Sequence, residues 1–545
     1  MNQQAVSKVR TKKTRTRERQ AGRGREHRRS IENHPWIGFL IVVVLWAACV
    51  AALSVDTFLD ERRPAPLLLS IAGDAVFLFL GLIATGIFLR LVRPRILGRN
   101  MNILLLATVA LLSVLVAKAT YYITAGTTLI PAETARFLLP LVMAPLFLTI
   151  LVDAVVAVAV GSWVALVIGA IADHDFAITV TGLLMCPLTA QLAWRVRGRS
   201  KVVRTGLIVG LCQAAGVFGA MALAGEPAAA VTILHRAGAC ILSGFVASLF
   251  VLLILPAFEA AFGITTDISL LELSDLGHPL LQRLAMEAPG TYHHSLVVAN
   301  LAQAAADAIG ANALLARVAA YFHDIGKLTK PSFFAENIQM QQNPHDHLPP
   351  SMSTLVITAH VKEGLSLALL HKLPAVVRAV ISEHHVTSIM KYFHEKARAQ
   401  LEEDEQESGG AAPSSAARQL DDTAFRYNGP IPSSRESAII CLADGIEAAS
   451  RTLEKPTPGH IESLVEDLTR ARLEDGQLDN SGLTLSDLAA IKRSFIFTLT
   501  NMLHARIPYP KDEDRDKQPP RGPKSQPAGA RKAGPAADEK SGSDA

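Results

Sequence analysis

The chain has 545 residues, enough for several domains, and at 50% hydrophobic and 19% charged it is too apolar for an ordinary soluble protein. The formal net charge of +4 decides little, because positive charge is concentrated in the first thirty residues, from Lys8 and Arg10 to Arg28 and Arg29. Five scattered cysteines exclude a disulfide framework or a zinc knuckle and read as small buried side chains.

The basic arm, residues 1–35, fits a nucleic-acid-binding arm, a signal-peptide n-region or a cytoplasmic membrane flank. The apolar stretch that follows, 36–55, is long enough to span and has no clear small-residue cleavage site. We therefore read the arm as a disordered cytoplasmic flank touching anionic lipid, with no nucleic acid polymer as partner. Further apolar stretches lie near 66–91, 102–124, 136–152, 154–172, 176–194, 203–224 and 237–258. Each approaches the roughly 17–25 residues that cross a bilayer. Arginines cluster in alternate connections, Arg90 to Arg99 and Arg195 to Arg204, while those near 56–66, 126–133 and 172–175 are poor in net positive charge or acidic. About eight spans within 36–260 put every basic loop, the N-terminus and the second half of the chain on the cytoplasmic side of an inner (plasma) membrane. Asp74, Lys118 and Asp153 fall near span ends, so their charges do not argue for transport.

From residue 261 the composition becomes that of a soluble helical domain. Leu270, Leu271, Leu273, Leu276, Leu280, Leu281 and Leu284 recur at helical spacing, which predicts one connecting helix over 269–287, within a 261–288 connector. Further helices are expected at 294–309, 311–323, 353–371, 374–384, 388–400, 435–452, 458–473 and 484–503. No alternating strand appears, so the fold class is all-α: a polytopic helical membrane domain followed by a helical bundle over 289–510. Residues 401–422 read as a disordered insertion and 511–545 as a disordered tail.

The helical half carries His294, the pair His323-Asp324, His360, the pair His384-His385, and Asp444. Any one of them alone would be an ordinary structural residue. As a set they are too many for one closed site and enough for two adjacent metal ions, a pairing suited to phosphoester hydrolysis. His323 and Asp324 end a buried helix, with Gly326 supplying the turn. Adjacent residues there point about 100° apart, so they can address two ions, and the two carboxylate oxygens of Asp324 can bridge them.

The ordered set resembles the HD superfamily of metal-dependent phosphohydrolases. Longer phrases sharpen the resemblance: APGTYHHSLVVANLA (288–302), ARVAAYFHDIGKLTKPSFFAENI (316–338), TAHVKEGLSLAL (358–369), EHHVTSIMKYFHEKA (383–397) and FRYNGPIPSSRESAIICLADGIEAASR (425–451). They are similar to the membrane-bound HD hydrolases with seven or so spans, the PgpH-type cyclic di-AMP phosphodiesterases. The resemblance implies hydrolysis of cyclic di-AMP to pApA by a water activated between two divalent ions, iron or manganese. It implies that His294, His323, Asp324 and Asp444 hold one ion and Asp324, His360, His384 and His385 the other. Catalysis would rest on His323, Asp324 and Lys327, with Lys327 neutralising a phosphate oxygen and Arg426 and Arg451 meeting the second phosphate or a base. The partners expected are cyclic di-AMP and a lipid bilayer, and a homo-oligomer is compatible with both. Cyclic di-GMP, another nucleotide such as a nucleoside polyphosphate, and a non-catalytic nucleotide receptor stay open as alternatives. Two departures stand out. Only about ten residues (Asp56–Pro66) separate the first two spans where the family carries a large domain, and Val386 follows the paired histidines where the family pattern leads one to expect glycine.

Overall fold

A computed structural model describes residues 34–59, 67–125, 131–225, 229–338, 342–407, 421–453 and 456–504. The expected basic arm before residue 34, the stretch 408–420 of the expected insertion, and the whole expected tail, 511–545, lie outside the described residues. Among the described residues every regular element is helical, and the only β feature is an isolated bridge between Ile389 and Arg426.

The first half contains α1 (Pro35–Leu59), α2 (Leu67–Val92), α3 (Asn100–Ala125), α4 (Met143–Leu151), α5 (Ala154–Ile171), α6 (Phe176–Leu192), α7 (Arg199–Ala224) and α8 (Ala230–Phe262). Six of them, α1, α2, α3, α5, α7 and α8, are long and apolar enough to cross a membrane. The remaining apolar segments, Arg136–Leu151 and Phe176–Leu192, are shorter. Pro140 interrupts the first of these, leaving α4 with 9 residues. Side chains tie the bundle together: Trp46 Nε1 donates to Ala75 O at 2.8 Å, and Trp163 Nε1 to Leu78 O at 3.1 Å. Between α7 and α8 the backbones touch at Gly206 and Gly244, where a Cβ on either would strike the other's carbonyl oxygen.

Two carboxylates of this half sit at helix starts. Asp153 caps α5 by accepting from Val156 N at 2.8 Å and pairs with Arg93 at 3.0 Å. Asp175 caps α6 by accepting from Ile178 N at 3.0 Å and pairs with Arg136 at 2.6 Å. These pairs lie at opposite ends of the bundle. The Arg93–Asp153 end also holds the arginine-rich turn after α6, which reaches the second half through Arg199–Glu272 at 2.6 Å.

The second half contains α9 (Asp267–Leu273), α10 (Pro279–Glu287), α11 (Pro289–Ala308), α12 (Ala313–Phe322), α13 (Pro350–Leu370), α14 (Ala375–Glu383), α15 (Lys391–Glu407), α16 (Arg435–Ser450), α17 (Pro458–Glu474) and α18 (Leu485–His504). Thr266, Asn312, Ser434 and Thr457 cap α9, α12, α16 and α17 with side-chain oxygens. Each such cap is worth about 1 kcal/mol. One apolar core, separate from that of the membrane half, joins Leu280 and Leu284 of α10 to Val298, Phe322, Ile381, Ile440 and Phe495. Burial of each large side chain contributes roughly 1.5–3 kcal/mol.

Two expectations are corrected, and Gly326 gains a second reason. The single connecting helix is two, α9 and α10, because Gly277 and Pro279 cannot carry a helix through the turn and His278 starts the second by accepting from Leu280 N at 3.2 Å. The expected insertion begins later than residue 401, since 401–407 (LEEDEQE) are good helix formers and extend α15. At its far end Asp421 caps a short turn, Asp422–Phe425, whose Phe425 is buried against Phe393 and Ala397. Gly326, at the turn that follows α12, has no positive φ. It stands in a 3-10 segment, Ile325–Thr329, where a Cβ would run into the carbonyl of His360.

Candidate metal centre

Five helices deliver the polar cluster. His294 projects from the second turn of α11, buried, whereas His293 beside it is exposed. His323 is the C-terminal cap of α12, and Asp324 follows it into the 3-10 segment. The missing side chain of Gly326 lets that segment press against α13, which brings Asp324 close to His360. His384 caps the C-terminus of α14, with His385 next, and Asp444 comes from the middle of α16. The turn after the paired histidines requires φ = 55° at Val386, a buried β-branched residue in the left-handed region. Such strain costs on the order of 1–3 kcal/mol.

Asp324 is the hub. Its Oδ2 lies 3.3 Å from His323 Nε2 and 3.7 Å from His294 Nε2, while its Oδ1 lies 3.4 Å from His360 Nε2 and 3.5 Å from His384 Nε2. Two ligand groups therefore share one carboxylate: His294, His323 and Asp324 on one side, and Asp324, His360, His384 and His385 on the other. The ligand atoms of each group lie within 4.8 Å of one another. Asp444 reaches both sides, with Oδ1 3.0 Å from His294 Nε2 and Oδ2 3.4 Å from His385 Nδ1. The structure thus brings together all seven residues singled out as ligands.

The donor set fits metal ions. His323 Nε2 and Asp324 Oδ1 are buried without a hydrogen bond, an arrangement that protein groups rarely tolerate unless a ligand satisfies them. Among the described residues, four buried or nearly buried carboxylates, Asp324, Glu336, Asp444 and Glu447, form ion pairs with only two permanent cations, Lys327 and Arg451. Burial would raise Asp324, but Lys327 and His323 outweigh it and hold the carboxyl well below its ordinary range. Asp444 is likewise held down against burial by the hydrogen bond from His294 and by the neighbouring imidazoles of His323 and His385. Burial alone would lower His323, yet Asp324 and Asp444 reverse this and raise it to about 10. Positive charge is strongly favoured at this point. Burial, reinforced by His384, drives His360 down to about 4 against the pull of Asp324, and burial with His384 also lowers His385. Those two rings are neutral at physiological pH, the form that ligates a metal.

Lys327 Nζ sits 2.8 Å from Asp324 Oδ2 and 2.7 Å from Glu336 Oε1, so its cation lies inside the cluster, already shared between two carboxylates. Arg426 Nη1 donates to Thr387 O at 2.9 Å and lies 3.6 Å from Asp475, and Arg451 pairs with Glu447 at 2.6 Å. Both guanidiniums are engaged by the protein itself. Sequence reasoning missed Glu447, which meets His294, and Glu336, which accepts from Lys327 and from Thr291 Oγ1 at 2.9 Å. It also missed Tyr427, whose ring stacks on His385 with centroids 4.3 Å apart. Glu447 could have been found, because it lies three residues after Asp444 on the same helix face. A cavity of about 760 Å³ opens beside His385 and Tyr427, lined also by Leu355, Lys362 and Asn428.

Residues 68–266 match the family described as 7TM receptor with intracellular HD hydrolase, and residues 291–449 match the HD domain. The chain joins an HD domain to the membrane region of that family. It is 39% identical over 313 residues to the cyclic-di-AMP phosphodiesterase PgpH of Bacillus subtilis, covering 57% of this chain and 42% of that protein. It is 35% identical over 384 residues to the PgpH of Listeria monocytogenes, covering 69% of this chain and 51% of that one. The chain therefore spans about half or less of the length of these curated relatives. The crystal structure of the L. monocytogenes PgpH HD domain is 37% identical, is covered completely by 42% of this chain, and superposes with a TM-score of 0.38.

Proposed function

We propose that this chain is a membrane-anchored phosphodiesterase that hydrolyses cyclic di-AMP to pApA at a two-metal centre on the cytoplasmic side of the plasma membrane. The observation that carries the reading is the Asp324 carboxylate, whose two oxygens each face a different pair of histidines. That geometry suits a bridge between two cations. The names of the two PgpH relatives supply the substrate.

Two bound divalent ions would supply Lewis acidity and an activated water for in-line attack at phosphorus. His294, His323, Asp324 and Asp444 would hold one ion, and Asp324, His360, His384 and His385 would hold the other. Imidazole and carboxylate without thiolate suit iron or manganese. Lys327 offsets charge at a phosphate oxygen, and Arg426 is assigned to the second phosphate or a base, whereas Arg451 is held by Glu447. Eight helical passes, counting the short segments 136–151 and 176–192, put the arginine-rich loops and the HD domain on one face, in keeping with a positive-inside orientation.

Purified full-length protein loaded with Mn²⁺ and offered cyclic di-AMP, cyclic di-GMP, a linear dinucleotide and a nucleoside polyphosphate tests this directly. Fastest turnover of cyclic di-AMP, with pApA as product, is expected. Equal or faster turnover of cyclic di-GMP would overturn the substrate assignment. Tight binding without cleavage would make the domain a nucleotide receptor.

A further inference from the structure

The imidazoles of the centre are not all held in the same way. His323, His360 and His384 donate Nδ1–H to the carbonyls of Ala320, Ile357 and Ile381, at 2.7, 2.5 and 2.9 Å. Each acceptor is three residues back on the same helix, so local backbone geometry alone sets the ring. His294 differs. Its Nδ1 lies 2.5 Å from Glu447 Oε2, a buried carboxylate 153 residues away in sequence. The other oxygen of Glu447 accepts from Arg451 Nε at 2.7 Å and pairs with Nη2 at 2.6 Å. The Arg451 side chain is 38% exposed, so this relay of side chains runs from the solvent to a ligand of one ion only.

We propose that Glu447 is a positioning residue that sets the tautomer and the ligand strength of His294, and that Arg451 acts on the same ring through Glu447. This rests on the two-ion reading above. An imidazole whose Nδ1–H donates to an anion keeps its Nε2 lone pair turned to the metal side and becomes a stronger base. A backbone carbonyl fixes the tautomer but carries no full charge. The ion held by His294, His323, Asp324 and Asp444 therefore has an affinity that a side chain adjusts, whereas three imidazoles of the centre are supported by backbone alone. Arg451 then affects metal occupancy rather than nucleotide contact.

The test is a Mn²⁺ titration of full-length protein in detergent, followed by calorimetry and by the electron paramagnetic resonance signal of coupled against isolated Mn²⁺. Wild type should take up two equivalents. Glu447→Gln should weaken one of them by about 10–100-fold and leave the other unchanged, giving an isolated-ion signal at intermediate Mn²⁺. Arg451→Gln should weaken the same equivalent to a lesser degree, with KM for the nucleotide unchanged once metal is saturating. Two wild-type affinities in Glu447→Gln would overturn the inference, as would equal weakening of both equivalents. A raised KM with unchanged metal affinity in Arg451→Gln would return that residue to substrate binding and remove it from the relay. If wild type itself takes up fewer than two equivalents, the two-ion reading fails first, an outcome distinct from the others.

Discussion

In the membrane half, Asp153 and Asp175 cap α5 and α6 and pair with Arg93 and Arg136, so each carboxylate spends its charge on a backbone amide and a guanidinium at a helix end. In the HD half, Asp324 and Asp444 are buried among imidazoles, with fewer permanent cations than carboxylates around them. Charge at a helix end, in reach of water, costs little and can be structural. Charge buried in low dielectric is tolerated only when compensated, which is why a surplus of it points to an exogenous cation. The same residue type thus carries different information in the two halves, and burial decides which.

Turnover should separate them most sharply. Asp324→Ala or His323→Ala is expected to abolish hydrolysis with the helical fold retained by circular dichroism, whereas Asp153→Ala should keep hydrolysis and cost about 1 kcal/mol as a lost cap. Hydrolysis that survives both HD-half substitutions would erase the distinction. Packing should separate the halves next. Phe495 is fully buried in the HD core, and Phe495→Ala should cost about 3–5 kcal/mol in denaturant melts. Phe77 of α2 is 56% exposed on the outer face of the membrane bundle, and Phe77→Ala should change stability by less than about 1 kcal/mol. Metal should act on one half alone. Adding Mn²⁺ at about 100 times its dissociation constant should stabilise the HD domain by ~2.7 kcal/mol, reversed by a chelator, with the membrane-half transition unmoved. The smallest effect belongs to Val386→Gly. Relief of strain at φ = 55° and loss of a buried side chain oppose each other, so a net change within about 1 kcal/mol is expected from a thermal melt.

Much of this was legible in the chain, for definite reasons. Apolar spacing located α11 to α18, because helices that bury one face write their period into the sequence. His323-Asp324 and His384-His385 were legible as paired ligands because each dipeptide closes an apolar run. Contacts across long sequence separations were not legible. Nothing near Thr291 announces Glu336, and although Glu447 shares a helix face with Asp444, nothing announces His294 as its partner, since each pairing is made only when separate helices pack. The break between α9 and α10 was hidden by leucines that keep helical spacing on both sides of Gly277 and Pro279. Gly326 was legible at the turn after His323-Asp324, but its close approach to α13 was not.

The most direct test of a centre bridged by Asp324 is hydrolysis of cyclic di-AMP measured as Mn²⁺ is added stepwise to metal-free full-length protein. Turnover should stay near background through the first equivalent and rise with the second, and Asp324→Ala should show neither rise. Full activity at one equivalent, or a metal-dependent rise in Asp324→Ala, would contradict the two-ion centre.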